Sequence, residues 1–347
     1  MIPEIRPLRP DDLQELSRFL IEGFHAPSDA AFAAPDVLGW KSLEPIHDGD
    51  EIPRSFIASE EGRIVGHVGL CPTAFEGLSL PPGGITTLHM VDWLGSRVHR
   101  ALGSALMRHA HQKAKTQYVL VANERARRVT GGAGYTPTAE VTVFQKVLRI
   151  GYRWRVPGLG PGARLLRVGR DAARKVLNPG RSPQIAVELR QVREFGPEVG
   201  PILDDWQARA ILTSRSPERL NHALHYPRPG MSGWLILVGE QPQGFALLNV
   251  VAQGTVRTGK LVECLVQGDD SALQHAATTA LTEELRRQGA DLAIGFASTP
   301  WTTEALRLSG FTPAHRLEFT LRDRERLIPP GIPIHLSPFE ADYAYSS

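Results

Sequence analysis

An internal repeat is the feature of this sequence that most constrains its fold. Pro35 and Pro45 flank one short helical segment, and Pro217 and Pro227 flank another, so both prolines recur after the same interval of 182 residues. A repeat of this length predicts two copies of one structural unit. The chain length agrees, because 347 residues exceed what a single hydrophobic core usually supports.

The order of predicted elements repeats in the same way. Hydrophobic periodicity predicts strand, helix, helix, three strands, helix, strand, helix and strand in each half. Near the end of each half, Gly-Tyr-Thr-Pro beginning at Gly134 is matched by Gly-Phe-Thr-Pro beginning at Gly310. The expected fold class is α/β (layered α+β), with two tandem domains that each contain a mixed, mostly antiparallel sheet flanked by helices. The predicted divisions are a first domain at 1–148, a basic connector at 149–184, a second domain at 185–325 and a C-terminal tail at 326–347.

Composition excludes several classes of protein. Hydrophobic residues make up 42% and charged residues 22% of the chain, which is typical of globular proteins, and a net charge of +2 gives no reason to expect nucleic-acid binding. Cys71 and Cys264 lie outside any metal-binding or disulfide pattern, so we expect small core or strand residues and no zinc site. The absence of a signal-peptide pattern and of a long apolar run predicts a cytoplasmic location.

The predicted connector has a composition of its own. Residues 149–184 contain nine arginines and lysines against one acid, Asp171. Prolines and glycines break regular structure at its start, and a basic amphipathic helix is predicted after them. Two interpretations stay open: packing across both domains with solvated arginines, which we favour, or peripheral contact with an anionic membrane. The apolar positions of this helix are Leu165, Leu166, Val168, Val176 and Leu177.

The strongest functional signal is the junction between a predicted strand at 85–94 and the helix after it. Gly103, Ser104 and Ala105 open that helix directly after a basic turn that contains Arg97 and Arg100. The first N–H groups of a helix have no helical acceptor and lie at the positive end of its dipole. A pyrophosphate fits such a site, because small residues let it approach the backbone and arginines add charge-assisted hydrogen bonds.

This junction resembles that of the GNAT superfamily of acyl-CoA-dependent acyltransferases. Their signature is Arg/Gln-x-x-Gly-x-Gly/Ala, and residues 100–105 read Arg-Ala-Leu-Gly-Ser-Ala. The resemblance covers residues 3–148 well and residues 185–322 by element order only. The tandem form, with the segments at 40–41, 91–94 and 298–301, is similar to bacterial GNAT-like proteins associated with exopolysaccharide and cell-envelope gene clusters.

The resemblance implies a reaction in a ternary complex. The amine or hydroxyl of an acceptor attacks the thioester of acetyl-CoA, or of another acyl-CoA, and no metal takes part. The implied acceptor is a small amine or a sugar-type envelope precursor. The residues expected to bind the coenzyme are Trp93, Leu94, Arg97, Val98, Arg100, Ala101, Leu102, Gly103, Ser104, Ala105 and Asn123.

A general base on the strands is expected to remove the acceptor's proton. Asp92 is the first candidate and His89 the second. They are three residues apart, so strand alternation predicts that they point to opposite faces and that only one faces the acceptor. His67, on a neighbouring strand, is a further candidate. A buried, hydrogen-bonded side chain is an equally good interpretation of each histidine.

Two departures from the family pattern limit what the resemblance implies. Thr130 stands where many members have a tyrosine that protonates the leaving thiolate, which leaves room for a weak or inactive enzyme. In the second half, Asp269 and Asp270 occupy the position of the loop that would bind a pyrophosphate, and their negative charges would repel that group. We therefore predict no coenzyme there. Glu263 in that half is expected to be solvated or structurally paired rather than to contact an acceptor.

Three functional hypotheses follow. The leading one is an acyl-CoA-dependent N- or O-acyltransferase. The second is a regulatory protein that binds the coenzyme without catalysis, motivated by Thr130. The third, motivated by the basic connector, is aminoacyl transfer from charged tRNA of the cell-wall-building type, and it conflicts with an intact coenzyme loop that such enzymes do not need.

Overall fold

The structure is a computed structural model that describes residues 3–44, 53–99, 101–121, 124–156, 158, 160–268, 271–340 and 344. The strands are β1 (Glu4–Pro7), β2 (Ser55–Glu60), β3 (Arg63–Gly77), β4 (Ile85–Gly95), β5 (Thr116–Val121), β6 (Thr136–Val147), β7 (Glu188–Val192), β8 (Ile211–Thr213), β9 (Met231–Val238), β10 (Gln241–Gln253), β11 (Val256–Val266), β12 (Leu292–Ala297) and β13 (Thr312–Asp323). The helices are α1 (Leu13–Phe24), α2 (Pro35–Ser42), α3 (Leu102–His111), α4 (Glu124–Gly132), α5 (Pro161–Leu177), α6 (Gly200–Gln207), α7 (Pro217–Leu224), α8 (Ser271–Arg287) and α9 (Pro300–Leu308).

The element order confirms the predicted repeat and fold class. Each half runs through the expected succession of strands and helices, and the second half adds the short strand β8. Pairing is parallel between β4 and β5 and between β11 and β12, and it is antiparallel in the other strand pairs of the described sheet. The sheet is therefore mixed and mostly antiparallel, with a parallel pair at the corresponding place in each half.

The two halves share one continuous sheet because their last strands are exchanged. The strand order is β1-β2-β3-β4-β5-β13-β6-β12-β11-β10-β9-β7, with β8 paired to β3. β13 of the second half lies between β5 and β6, and β6 pairs with β12 of the second half. Separating the halves would break these ladders, so any site between them has a fixed geometry. The boundaries at 148 and 185 stay predictions.

α3 is positioned by packing against β3. Leu102, Leu106 and Ala110 follow one another at intervals of four, so they share one face of the helix, and all three are buried. A Cβ atom added at Gly66 of β3 would lie only 2.8 Å from Leu106 Cδ1. The close approach of helix and strand fixes the start of α3 beside the end of β4.

The connector forms a 3-10 turn at Ile150–Arg155 followed by α5, which confirms the predicted basic helix. The expected packing across both domains applies to the polar side of α5, where Asp171 and Arg174 line one cavity with residues of β6 and α8, but it is wrong for the apolar side. Leu165, Leu166, Val176 and Leu177 are all exposed. The reason is that α5 turns its polar side, including the fully buried Asp171, towards the protein.

Much of the predicted C-terminal tail is part of the core. Ile328, Ile334 and Leu336 are buried in the same hydrophobic cluster as Phe75 and Tyr118 of the first half. The backbone of this segment forms a bridge to the start of β8. Alternating apolar residues explain the burial, since they fill the space between the two halves. Within the described ranges, no helix is long and apolar enough to cross a bilayer.

Candidate active site

The site is built around a bulge in β4. Asp92 has φ +48°, and the pairing register shifts so that Val68 of β3 opposes both Asp92 and Trp93. His67 supports this distortion: its Nδ1–H donates to the Asp92 carbonyl at 2.9 Å, and Ser55 Oγ–H donates to its Nε2 at 2.7 Å. Because both ring nitrogens are hydrogen-bonded and the side chain is buried, His67 stabilises the bulge in β4 and is not available to an acceptor.

A groove of about 440 Å³ lies on one side of the bulge. The end of β4 and the start of α3 form its floor, where Trp93 Nε1–H donates to the Gly103 carbonyl at 3.0 Å. Gly95 and Gly103 face each other so closely that a Cβ atom on Gly95 would lie 3.0 Å from Gly103 N. Its lining residues are Gly23, Phe24, Trp93, Leu94, Gly95, Ser96, Arg97, His99, Gly103, Ala126 and Val129.

The electrostatics of this groove favour an anion. Its described lining includes Arg97 but no acidic side chain, and His99, which also lines it, is paired with Glu60 at 3.2 Å. The start of α3 adds the positive end of a helix dipole, and the first turn of α3 contains no acid. The groove therefore has the small-residue floor and the positive potential that a pyrophosphate needs.

The predicted coenzyme residues divide into three groups. Trp93, Leu94, Arg97 and Gly103 line the groove. Val98, Ala101 and Ser104 are exposed beside it, whereas Leu102 and Ala105 are buried in the core and support the helix instead. Arg100 and Asn123, like Asp269 and Asp270 of the second half, lie outside the described residues.

A second cavity, of about 100 Å³, lies on the other side of the bulge and between the two halves. The first half contributes α2, β3, β4 and β5, and the second contributes β8, α7 and the C-terminal segment. The lining residues are Trp40, Lys41, Arg54, Cys71, Pro72, Thr73, His89, Val91, Tyr118, Thr213, Arg219, His222, Ala223, Phe339 and Glu340.

The repeated helices α2 and α7 meet beside this cavity. Trp40 of α2 stacks on His222 of α7 with ring centroids 4.7 Å apart and planes at 8°, and its Nε1–H donates to the His222 carbonyl at 3.2 Å. Tyr226 packs edge-on against the same tryptophan. These contacts tie the halves together, so neither half forms the cavity alone.

Asp92 and His89 do not point to opposite faces as predicted. His89 lines the cavity, stacked on Tyr118 with centroids 4.6 Å apart and planes at 1°. The Asp92 carboxylate forms an ion pair with Lys41, which lines the same cavity. The prediction was wrong because the bulge at Asp92 interrupts the alternation of the strand.

Basic side chains predominate in the cavity wall. Lys41, Arg54 and Arg219 line it, and Glu340 is the one carboxylate among its described lining residues. Glu340 is itself paired with the buried Arg215. Burial raises the pKa of Tyr118 well above its usual range, which keeps this side chain neutral. The cavity therefore favours an anionic group.

Thr130 does not supply an acid for a leaving thiolate. Its hydroxyl is buried and donates to the Ala126 carbonyl, 2.9 Å away in the preceding turn of α4. Val129, its neighbour, lines the groove instead. Thr130 therefore has a helical hydrogen bond in place of the proton-donating role of a tyrosine.

The expectation that Glu263 is structurally paired is confirmed. Its carboxylate accepts from Arg215 Nε at 2.7 Å, from His335 Nε2 at 2.9 Å and from Ser337 Oγ at 3.0 Å. Burial opposes its charged form, but His335 and Arg215 outweigh that effect and lower the pKa of Glu263 to about 2. Sequence reasoning missed Arg215, His335 and Glu340, because their partners are distant in the chain and two of them lie in the presumed tail.

The C-terminal segment also packs against β11 of the second half. His335, Ser337 and Pro338 lie beside Glu263 and Cys264, leaving a space of only about 30 Å³. Across the described ranges, no three His, Cys, Asp or Glu side chains are grouped as a metal site requires.

Comparisons with known proteins agree with this geometry. The model of the acetyltransferase (GNAT) family matches residues 14–135, and no curated protein matches the chain. A GCN5-related N-acetyltransferase from Anabaena variabilis has a similar fold, with 12% identity, TM-score 0.58, and coverage of 92% of this chain and 72% of that one. N-myristoyltransferase of Saccharomyces cerevisiae with bound myristoyl-CoA is 11% identical, with TM-score 0.60 and coverage of 93% of this chain and 79% of that one. A putative acetyltransferase from Pyrococcus horikoshii is 12% identical, with TM-score 0.56 and coverage of 98% of this chain and 95% of that one.

Proposed function

We propose that this chain moves an acyl group from acetyl-CoA or another acyl-CoA directly to a small amine or sugar-type acceptor. The chain is an acyltransferase of the GNAT superfamily. The observation that carries the proposal is the arrangement along β4. A positive groove and a cavity between the halves lie on either side of one bulge. Two substrates placed in these two spaces would meet at Asp92.

In this proposal the coenzyme occupies the groove. Its pyrophosphate binds the amides of Gly103 and Ser104 at the start of α3, with Arg97 beside it. The pantetheine arm follows Trp93–Gly95 towards the bulge, where the thioester reaches the cavity. The second half is proposed to bind no coenzyme, since Asp269 and Asp270 stand at the position of its pyrophosphate loop and would repel a pyrophosphate.

The proposed reaction needs one proton acceptor in the cavity. His89 takes the proton of the acceptor's amine or hydroxyl, the nucleophile attacks the thioester carbon, and the C–S bond breaks as the new bond forms. We place His89 before Asp92 because the Asp92 carboxylate is already paired with Lys41. With Thr130 engaged in α4, the proton for the leaving thiolate comes from water.

The charge of the cavity narrows the acceptor class. The charge of Lys41 is balanced by Asp92. Arg54 and Arg219 also line the wall, however, and an acceptor without a negative charge would gain little from these two arginines. We propose that the acceptor has a carboxylate or a phosphate near its nucleophile. An anion bound by these side chains is held where the acceptor's reactive group meets His89.

Thiol release tests this function directly. The purified chain is mixed with acetyl-CoA and a panel of amines and amino sugars, each with and without a phosphate or carboxylate. We expect free coenzyme A to appear with anionic acceptors and much more slowly with their uncharged analogues. Coenzyme binding without thiol release across the panel would support the alternative that Thr130 suggests, a regulatory protein that kept the coenzyme site.

A charge reversal at the start of α3 tests the coenzyme site. Ser104→Asp should lower the affinity for acetyl-CoA on the order of 100-fold, because a carboxylate would lie a few ångströms from the pyrophosphate. The fold should be unaffected or slightly stabilised, since acids are favourable in the first turn of a helix. Calorimetric titration measures the affinity, and a thermal melt measures the stability.

Gln112→Asp provides the matched control for this variant. It adds the same charge at the other end of the same helix, where Gln112 is exposed. Its affinity for acetyl-CoA should stay close to that of the unmodified chain. Equal affinities of Ser104→Asp and Gln112→Asp would place the pyrophosphate elsewhere.

A further inference from the structure

The apolar residues of α5 lie on the side that faces away from the protein. On a helical wheel, Leu165, Leu166, Ala173, Val176 and Leu177 fall within about 120° of one another. The four larger side chains are 64%, 77%, 78% and 77% exposed, in chain order. This is the reverse of an ordinary surface helix, whose apolar stripe faces the core.

Polar contacts on the inner side hold α5 in this orientation. The fully buried Asp171 accepts a hydrogen bond from Arg153 Nε at 2.8 Å. Arg164 Nη2–H donates to the Val156 carbonyl at 3.2 Å. None of the hydrophobic clusters in the described part of the chain includes a residue of α5. The outward side is therefore left without a partner while the helix itself is anchored.

The charge around this apolar side is strongly positive. Residues 149–184 contain nine basic residues, and their single acid, Asp171, is buried and paired. Arg167 and Arg170 are both exposed. On the wheel, Arg170 lies about 20° beyond the edge of the apolar side, and Arg167 lies about 80° beyond the same edge. Trp154, in the 3-10 turn that contacts α5, is also exposed. An aliphatic strip with a basic border thus faces solvent.

We propose that α5 docks the protein on a membrane surface that contains anionic phospholipids. The leucines and valine enter the boundary between headgroups and acyl chains, and the arginines bind lipid phosphates. The helix lies parallel to the surface and does not cross it. This proposal is independent of acyl transfer.

Two features favour a bilayer over a protein partner. A second copy of this chain would bring two strongly positive segments together, and like charges oppose that contact. The apolar side of α5 consists of Leu, Val, Ala and Gly, and Trp154 of the adjacent turn is the one exposed aromatic side chain described beside it, whereas several tyrosines and tryptophans dominate protein interfaces. Aliphatic side chains beside arginines match acyl chains beside phosphates.

Vesicle co-sedimentation of the full chain tests the proposal. Vesicles of phosphatidylcholine alone are compared with vesicles that also contain phosphatidylglycerol. We expect at least about tenfold tighter binding to the anionic vesicles, weakened by added salt. Absence of binding to either vesicle would overturn the proposal.

Two sets of variants separate the apolar and the charged contributions. The double variant Leu166→Ser with Leu177→Ser should bind anionic vesicles at least about tenfold more weakly with an unchanged melting temperature, because both side chains are exposed. Arg167→Gln with Arg170→Gln should lose most of the preference for anionic lipid. Leu78→Ser and Arg63→Gln are the matched controls, since they make the same changes on the β3–β4 side of the fold, and both should bind like the unmodified chain.

The alternatives have outcomes of their own. Unchanged vesicle binding by the leucine double variant contradicts the proposal. A second result would also contradict it: the unmodified chain is a dimer in sedimentation velocity and binds no vesicles, and the leucine double variant is a monomer. That result would assign the apolar side to a second copy of this chain. Thiol release in solution is expected to be the same in all these variants, so failure of this proposal is distinguishable from failure of the proposed acyl transfer.

Discussion

His89→Gln should lower kcat by about 100- to 10,000-fold, the range usually seen when a general base is removed. Glutamine keeps the approximate size of the side chain that stacks on Tyr118, but it cannot accept the acceptor's proton at neutral pH. The affinity for acetyl-CoA should stay nearly the same, because His89 lines the cavity between the halves and not the groove. Steady-state thiol release with an anionic acceptor gives kcat and the dependence of the rate on acetyl-CoA concentration. Repeating the measurement across pH shows whether the decrease of kcat at acidic pH (the acid limb) disappears.

His225→Gln is the control for this prediction. It makes the same substitution at an exposed histidine just beyond α7, outside the cavity lining. It should leave kcat unchanged. A normal kcat in His89→Gln together with a lost acid limb in Asp92→Asn would assign the base to Asp92 and show that its pairing with Lys41 breaks during the reaction.

The second large effect is expected on stability. Glu263→Ala should lower the free energy of unfolding by about 3–5 kcal/mol, because it removes one of the two carboxylates that pair with the fully buried Arg215. Chemical denaturation measures this difference. Glu283→Ala, which breaks an exposed ion pair with Arg286 on the surface of α8, should change stability little and is the control.

Acid titration gives the same network a second test. The pKa of Glu263 is about 2 in the folded protein, whereas the ordinary pKa of a glutamate side chain is 4.5. A carboxyl group with a lowered pKa stabilises the fold above its unfolded pKa and loses that contribution as pH falls. The unmodified chain should therefore lose about 3 kcal/mol from this residue between about pH 4.5 and pH 2. Glu263→Gln should lack that loss, and an identical pH dependence of both proteins would contradict the pairing.

Local signals in the sequence were sufficient for the elements and for the small-residue groove at the start of α3. The matched prolines at 35 and 217 predicted helices that the structure confirms as α2 and α7. The glycine at 103 predicted a close approach of backbone and ligand, and the same residue lies against Trp93 and Gly95. Such features depend on short-range periodicity and on backbone sterics, which neighbouring residues determine.

Long-range choices were not predictable in the same way. Whether β13 pairs with its own half or with β5 depends on the relative energy of two ladders, and no local pattern records it. The bulge at Asp92 adds one residue to a strand, and this reversed the predicted orientation of a key side chain. The position of Glu340 in the cavity wall was not predicted, because the segment that contains it was expected to be a tail and its partner Arg215 is distant in the sequence.

The central claim is that one coenzyme binds per chain, in the groove at the start of α3. A crystal structure with a non-transferable acyl-CoA analogue tests it most directly. We predict pyrophosphate density within hydrogen-bond distance of the Gly103 and Ser104 amides, with the acyl group at the bulge beside His89. Density at the start of α8 in the second half, or a coenzyme bound away from α3, would contradict the account.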